Sequence, residues 1–582
     1  MSRNDEVAAL LEEFADLLDA NGVAYKPSSY RRAAENVREH PNPIESLAAE
    51  GEDTVKTVNR VGDAIASKIV EYIETGHIEE LDALREELPV DMAGLTSVEG
   101  VGPKTVGTLY EELGITDLDE LETAAREGRI QEVKGFGAKT EANILDGIEF
   151  ARQATGRQLL GNARPVADDL RSYLADLDGV GRVEPAGSMR RWRETVGDID
   201  VLAESDDAES VIDHFLAWDH LGDTIEAGEQ KASARVNAMR VDLRVIDPSE
   251  YGAALQYFTG SKDHNVHLRN IAIDRGLKMN EYGMFDISDV DDPDGGPHVG
   301  ERIAGETEES MYEALGLPHV PPEMREDTGE IERAADGSLP ALVEDGEIRG
   351  DLHTHTNWSD GDNTIAEMVA AAEARGYDYH VVTDHATGPG MVGGVGVEDD
   401  RLLEQIDEVR AVADESDIAV FTGVEANIDA DGDLSVADDV LDQLDVVVAS
   451  PHSGLGQDRE TATDRLIRAI EHPATDVLGH PTGRLINQRP GLPVDYERLA
   501  EAAVEHSVAL ELNASPYRLD LNGEALRTAV EAGATIAIDT DAHRPAELDY
   551  VRYGVHTARR GWVETADVLN TRGVAAFTDF LH

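Results

Sequence analysis

Apolar positions recur along this chain with three different rhythms. Over residues 1–90 they follow a helical period, clearest in Glu6–Leu18 and Ala64–Glu74, so short amphipathic helices are expected there. From about 151 the pattern is mixed: helical over Pro165–Leu177, strand-like around Val196–Ala203 and Ala238–Ile246. Beyond 349, short apolar runs at His380–Thr383, Ile418–Thr422, Val446–Ala449, Val508–Leu512 and Thr535–Ile538 alternate with helical stretches. That alternation predicts a distorted (β/α) barrel with its site at the C-terminal strand ends. An acidic stretch rich in Pro and Gly, 321–348, reads as a linker. The chain is therefore expected to be multidomain. Two all-α domains cover 1–90 and 91–150, an α/β domain covers 151–250, a further subdomain covers 251–320, and the barrel covers 349–582.

The helical region contains a repeat. Gly100-Val-Gly102-Pro-Lys104-Thr105 recurs as Gly135-Phe-Gly137-Ala-Lys139-Thr140, and Arg60-Val-Gly62-Asp63 is a looser third copy. Each precedes an apolar helical stretch. A Gly-x-Gly turn that opens a helix presents backbone N–H groups beside the positive end of the helix dipole, which holds a phosphate without reading a base. The repeat resembles the helix-hairpin-helix element of DNA repair proteins, which implies that Gly62, Gly100, Gly102, Lys104, Gly135, Gly137 and Lys139 contact a DNA backbone.

Charge changes this picture. There are 119 acidic residues against 50 basic ones, a net charge of -69. Only nine of the basic residues are lysines. The acids are spread through periodic segments, which argues against charge-driven disorder. Self-repulsion on this scale would strain compaction in dilute salt, so a salt-adapted, halophilic cytoplasm is expected. DNA binding would then rest on backbone donors, Arg forks and metals, with a shallow salt dependence. There is no cysteine, so any metal must be held by His, Asp or Glu. Without an apolar leader or a long apolar run, a cytoplasmic monomer without membrane contact is expected.

In Gly197-Asp198-Ile199-Asp200 the two acids lie two apart, so on a strand they share a face. Arg240-Val-Asp242-Leu-Arg244 offers a third. Three acids on neighbouring strands suit two Mg²⁺ (or Mn²⁺) ions in in-line phosphoryl transfer. Gly187 and Ser188 can hold outgoing phosphates by N–H and hydroxyl, and Arg191 by charge.

Gly187-Ser188, Arg190-Arg191 and Gly197-Asp198-Ile199-Asp200 resemble the nucleotidyltransferase signature of X-family DNA polymerases, as does Tyr257-Phe258-Thr-Gly260-Ser261 with Asn265. The resemblance covers roughly 1–320. It implies that Asp198 and Asp200 bind both metals and that Asp242 helps activate a primer 3′-hydroxyl. It also implies that Ser188, Arg191 and Gly197 contact a deoxynucleoside triphosphate. Tyr257, Phe258 and Gly260 would shape the sugar site, Asn265 would face the base edge, and Arg269 would face the DNA minor groove. Lys68 stands at the spacing of the deoxyribose-phosphate lyase nucleophile of some members. Schiff-base chemistry needs a lysine of lowered pKa, and a DNA-backbone contact is the other reading.

Asp351-Leu-His353-Thr-His355 puts two imidazoles on one strand face. Asp360, His385, Glu425, His452, His480, Asp541 and His543 follow, all but Asp360 after short apolar runs. Nine such ligands exceed one ion's needs and suit two or three Zn²⁺ or Mn²⁺ ions. In this order they resemble the polymerase-and-histidinol-phosphatase (PHP) domain, over about 349–582. Arg484, near His480, reads equally as a phosphate clamp or a loop arginine. The two resemblances imply a polymerase filling gaps in gapped or nicked DNA during base excision repair. The PHP domain would add 3′–5′ exonuclease or 3′-end processing and abasic-site cleavage. The other classes left open are a PHP phosphomonoesterase on a non-catalytic DNA-binding scaffold and a non-catalytic DNA end-binding protein.

Overall fold

The computed structural model describes residues 3–581 apart from 24–25, 39, 41–42, 99, 155–156, 237–238, 294 and 390–394. The chain forms two compact units: residues 1–156 with 487–490, and residues 157–486 with 491–582. No helix among the described residues is long and apolar enough to cross a membrane.

The first unit is helical. Helices Arg3–Ala20 and Asp63–Thr75 cover the two amphipathic segments read from the sequence, and their apolar faces meet in a core that includes Leu11, Phe14, Ile69 and Leu81. Helices Pro103–Leu113 and Ala138–Ala154 follow the two glycine hairpins. Pro103 opens its helix where the missing N–H costs nothing. Gly107 permits a close crossing: a Cβ there would lie 2.1 Å from the Ala20 carbonyl oxygen.

The second unit begins with a mixed five-stranded sheet. Its order is Val183–Pro185, Ile199–Glu204, Met239–Ile246, Lys231–Val236, Thr224–Ala227. Only the pair Ile199–Glu204 and Met239–Ile246 is parallel. Ala238, the first residue of one predicted run, lies outside the described residues. The flanking helix spans Leu160–Ala175 rather than starting at Pro165. Proline favours a first turn, but here it sits in the second, so the sequence cue placed the start too late. A three-stranded antiparallel sheet follows, made of Leu277–Asn280, Gly283–Asp286 and Glu301–Ala304.

Residues 321–348 are not a linker. Glu323, Arg325 and Glu330 are 4%, 0% and 0% exposed. Each is buried with a partner distant in sequence, as a buried charge must be. Glu323 accepts from His556 at 2.6 Å and Arg559 at 2.8 Å. Arg325 donates to Glu308 at 2.6 Å, and Glu330 lies 2.6 Å from His264 Nδ1. Composition suggested solvent exposure because these partners lie up to 236 residues away.

Seven parallel strands then run in sequence order: Gly350–Asp351, Tyr379–Val382, Ala419–Asn427, Val446–Ser450, Val477–Leu478, Ala509–Asn513 and Ile536–Asp539. Side chains clasp the first strand to the last. Asn570 donates to the carbonyls of Gly350 at 3.0 Å and Ile538 at 2.6 Å, and Asp539 accepts from the Leu352 N–H at 3.0 Å. The result is a nearly closed barrel, as predicted. Three of its residues, Ile486, Leu519 and Tyr553, join the apolar cluster of the mixed sheet together with Trp192 and Ile199.

Candidate active sites

Parallel pairing sets Asp200 directly across from Asp242. Asp198, exposed, precedes Asp200 by two residues. Burial, then the charges of Asp198 and Asp242, push the Asp200 pKa up to about 6. The three acids read from the sequence therefore come together. Asp242 is 6% exposed and accepts from the Ser233 hydroxyl and from Arg240 Nε at 3.0 Å. Gly187 has φ 60°, and a Cβ there would sit 3.0 Å from Asp200 Oδ2. Glycine thus lets the backbone approach the Asp200 carboxylate.

Several of the residues expected to hold a nucleotide are already engaged. Arg191 donates from Nε to Glu326 at 3.1 Å and from Nη1 to the Thr259 carbonyl. Its neighbour Arg190 forks onto Glu308 at 2.8 and 2.6 Å. Asn265 is tied at both ends of its amide, to Gln256 at 2.8 Å and to the Tyr257 carbonyl at 2.7 Å. Phe258 lies under the Arg244 guanidinium at 4.5 Å and edge-on to Tyr257. Gly260 closes the helix Tyr251–Thr259 beside Arg191, Gly197 is exposed, and Arg269 is partly exposed on helix Lys262–Asp274.

At the barrel mouth all nine predicted ligands converge. Three groups have ligand atoms within 4.8 Å of one another: His355, Asp360, His385 and His543; His353, His355 and Glu425; His385, Glu425 and His452. Glu425 is the hub. Its Oε1 lies 3.4 Å from His353 Nε2, 3.2 Å from His452 Nε2 and 2.9 Å from His480 Nε2, and its Oε2 contacts His385 Nδ1. Burial opposes its charge, yet His385, His452 and His353 hold it well below the usual carboxylate range. Asp541 lies 3.0 Å from His355 Nε2, and Asp360 lies 3.4 Å from His543 Nε2. His543 is raised to about 10: burial resists, but Asp360 and Asp541 outweigh it. Burial, then His385 and His543, lowers His355 to about 4. His480 and Asp541 adopt φ 23° and 55°, a strained region for residues with side chains.

Sequence reasoning missed the residues that orient these ligands. Glu511 lies 2.6 Å from His353 Nδ1, Asn427 Oδ1 lies 2.7 Å from His452 Nδ1, and the Asp541 carbonyl lies 2.8 Å from His543 Nδ1. An acceptor at Nδ1 places the proton there and frees Nε2 as a lone pair. Arg518, 3.7 Å from Asp541, was also missed. Arg484 is no free clamp: it donates to the Arg518 and Leu519 carbonyls and to Glu194. The donor set fits metal ions. His353 Nε2, both nitrogens of His355 and Glu425 Oε2 are buried with no hydrogen bond. Such groups are costly unless a cation is shared among them.

In the helical unit Gly62, Gly100, Gly102, Gly135 and Gly137 would meet nothing within 4 Å if given a Cβ, so the hairpin tips are bare. Lys104 and Lys139 are exposed beside them. Lys68 departs from the expectation for a Schiff-base nucleophile. Burial would lower its pKa, but Glu80 at 2.6 Å and Tyr30 raise it, so the amine stays an ammonium. Borohydride trapping on an abasic duplex at neutral pH is expected to yield no Lys68 adduct. An adduct mapped to Lys68 by peptide mass would show the reverse.

Three acids on a mixed sheet, joined to a histidine-lined parallel barrel, define the class: a nucleotidyltransferase fused to a phosphoesterase. Family models agree, matching a helix-hairpin-helix domain at residues 2–78 and a SAM-like helix-hairpin-helix tandem at 92–149. A DNA polymerase beta thumb matches 254–326 and a PHP domain matches 351–519. The chain is 35% identical over 581 residues to the DNA polymerase/3′-5′ exonuclease PolX of Bacillus subtilis (strain 168), covering 99% of each. It is 24% identical over 342 residues to DNA polymerase lambda of Rattus norvegicus, covering 56% of each. It is 34% identical over 204 residues to the probable phosphatase TTE1963 of Caldanaerobacter subterraneus subsp. tengcongensis, covering 33% of this chain and 75% of that one. The chain belongs to the X-family DNA polymerases that carry a C-terminal PHP domain.

Proposed function

We propose that this chain is a DNA-directed DNA polymerase that fills gaps in base excision repair. Its barrel would act as a 3′–5′ exonuclease that trims 3′ ends and cleaves at abasic sites. One observation carries the reading: Asp200 lies in register with Asp242, and the charges of Asp198 and Asp242 bear on it. Carboxylates so arranged suit Mg²⁺ or Mn²⁺, and the histidine cluster suits two or three Zn²⁺ or Mn²⁺ ions. Such ions activate an attacking oxygen and stabilise the leaving one.

The chain's own residues do the rest. Asp198, Asp200 and Asp242 hold the metals for synthesis. Gly187, Ser188, Arg191 and Gly197 receive the triphosphate, while Tyr257, Phe258, Gly260 and Asn265 frame the sugar and base. In the barrel, Glu425, Asp360, Asp541 and the six histidines hold metals, Glu511 and Asn427 fix the rings, and Arg518 faces a substrate phosphate. The bare hairpin tips and Arg269 support a grip on gapped or nicked DNA that needs few lysines. The acid excess supports a monomer working in a salt-rich cytoplasm.

A duplex with a one-nucleotide gap tests the reading. With a divalent ion and the complementary triphosphate the gap is expected to fill. Without triphosphate the 3′ end is expected to shorten. Hydrolysis of small phosphomonoesters with no incorporation would favour a phosphatase on a non-catalytic scaffold instead.

A further inference from the structure

Trp192 follows Arg191 and has φ 51°, an unfavourable conformation for a bulky residue. A backbone strained in this way persists only where its surroundings over-determine it. Arg164 of helix Leu160–Ala175 lies over the indole at 4.3 Å, and the rest of the ring's aromatic surroundings come from the hydrolytic half. Helix Val551–Arg560, beyond the last barrel strand, stacks His556 on the Trp192 indole at a centroid distance of 3.7 Å and sets Tyr553 edge-on to it at 5.8 Å. Arg559 of the same helix anchors to Glu323. Arg560, the last residue, donates from Nη1 to the Arg191 carbonyl at 2.8 Å and to Glu326 Oε1 at 3.2 Å.

That Glu326 oxygen also accepts from Arg191 Nε at 3.1 Å and lies 3.5 Å from Arg193 Nη1. Three guanidinium groups therefore share one carboxylate. Glu194, the other acid nearby, is engaged by a fourth arginine, Arg484, at 2.8 Å. This cluster stands beside the aspartate trio: the Arg191 N–H bonds the Gly187 carbonyl, and Gly187 abuts Asp200. Arg191 is oriented along two edges, by Glu326 and by the Thr259 carbonyl. Its Nη2 has no partner among the described residues.

We infer that the helix Val551–Arg560 is part of the nucleotide site. It holds the strained loop that presents Arg191, and Arg560 acts with Glu326 as a positioning pair that aims Arg191 Nη2 at the phosphates of an incoming nucleotide. Arg560 touches neither nucleotide nor metal and acts through Arg191. The inference rests on the proposed polymerase reading and adds a contribution to synthesis from the hydrolytic domain.

The test uses the full chain with Arg560→Met and Arg560→Lys. Steady-state filling of a one-nucleotide gap is measured against triphosphate concentration, and 3′–5′ degradation is measured on the same preparations. Arg560→Met is expected to raise KM for the triphosphate about tenfold with kcat within about threefold, the split that marks lost binding shared by ground and transition states. Arg560→Lys, which keeps a cation, is expected to recover part of the loss, and degradation is expected to be unchanged. An unaltered KM in Arg560→Met overturns the inference. If Arg560→Met loses both activities together, Glu326→Gln decides: a raised KM supports the positioning pair and an unaltered one refutes it. A wild-type chain that incorporates nothing would overturn the polymerase reading itself, a result separate from either of these.

Discussion

Asp200→Ala is expected to lower primer extension by at least on the order of 10³-fold, the upper range for removing one preorganised electrostatic group. The 3′–5′ hydrolysis of the same protein is expected to be unchanged. The effect is large because Asp200 is the central acid: it faces Asp242 across the parallel pair and lies two residues from Asp198. The same crowding predicts a pH response. With its pKa raised to about 6, Asp200 is protonated below that value and a poorer metal ligand. Extension should therefore fall as pH drops through 6, and raising the divalent ion concentration should move that limb to lower pH. Stability without metal runs the opposite way. A carboxyl whose folded pKa exceeds its unfolded value favours the fold when protonated, and this contribution is lost as pH rises from about 4 through 6. Extension unaffected in Asp200→Ala, or an acid limb indifferent to metal, would contradict the assignment.

Glu425→Gln is the second large change. The carboxylate is 0% exposed and lies within 3.8 Å of five imidazoles, those of His353, His355, His385, His452 and His480. Glutamine keeps the shape but removes the charge and places an amide N–H₂ among ring nitrogens. Bound metal, measured by elemental analysis of the purified protein, is expected to drop. Exonuclease activity should fall on the order of 10³-fold, with primer extension retained. A full complement of metal with undiminished hydrolysis would show that the ions sit elsewhere.

Much of this was legible in the sequence, for reasons tied to particular residues. The apolar runs holding Asp200 and Asp242 carried strand geometry, because period-two alternation is local, whereas Asp198 lies in the bend just before its strand. The histidines stood out because only 19 occur in the chain and six of them, His353, His355, His385, His452, His480 and His543, fall just after barrel strands. Glu511 did not stand out: it lies on a correctly read strand, but one acid among 119 carries no signal until His353 is seen beside it. The segment 321–348 was misread for a related cause, since what buries Glu323, Arg325 and Glu330 comes from His556, Glu308 and His264. Lys68 shows the limit of motif spacing. Position matched a nucleophile, but its pKa is set by Glu80 and Tyr30 across the helical core. Strands Gly350–Asp351 and Val477–Leu478 are too short to carry a period at all.

Ile486, Leu519 and Tyr553 plug the core of the neighbouring sheet. The barrel is therefore no detachable cassette. Exchanging it for a free-standing phosphatase of similar fold would unplug its neighbour and strip Trp192 of its stacking partner. Point changes can retune either chemistry, but deleting one wholesale would undo the other. That gives a lineage keeping only one activity a physical reason to retain both bodies.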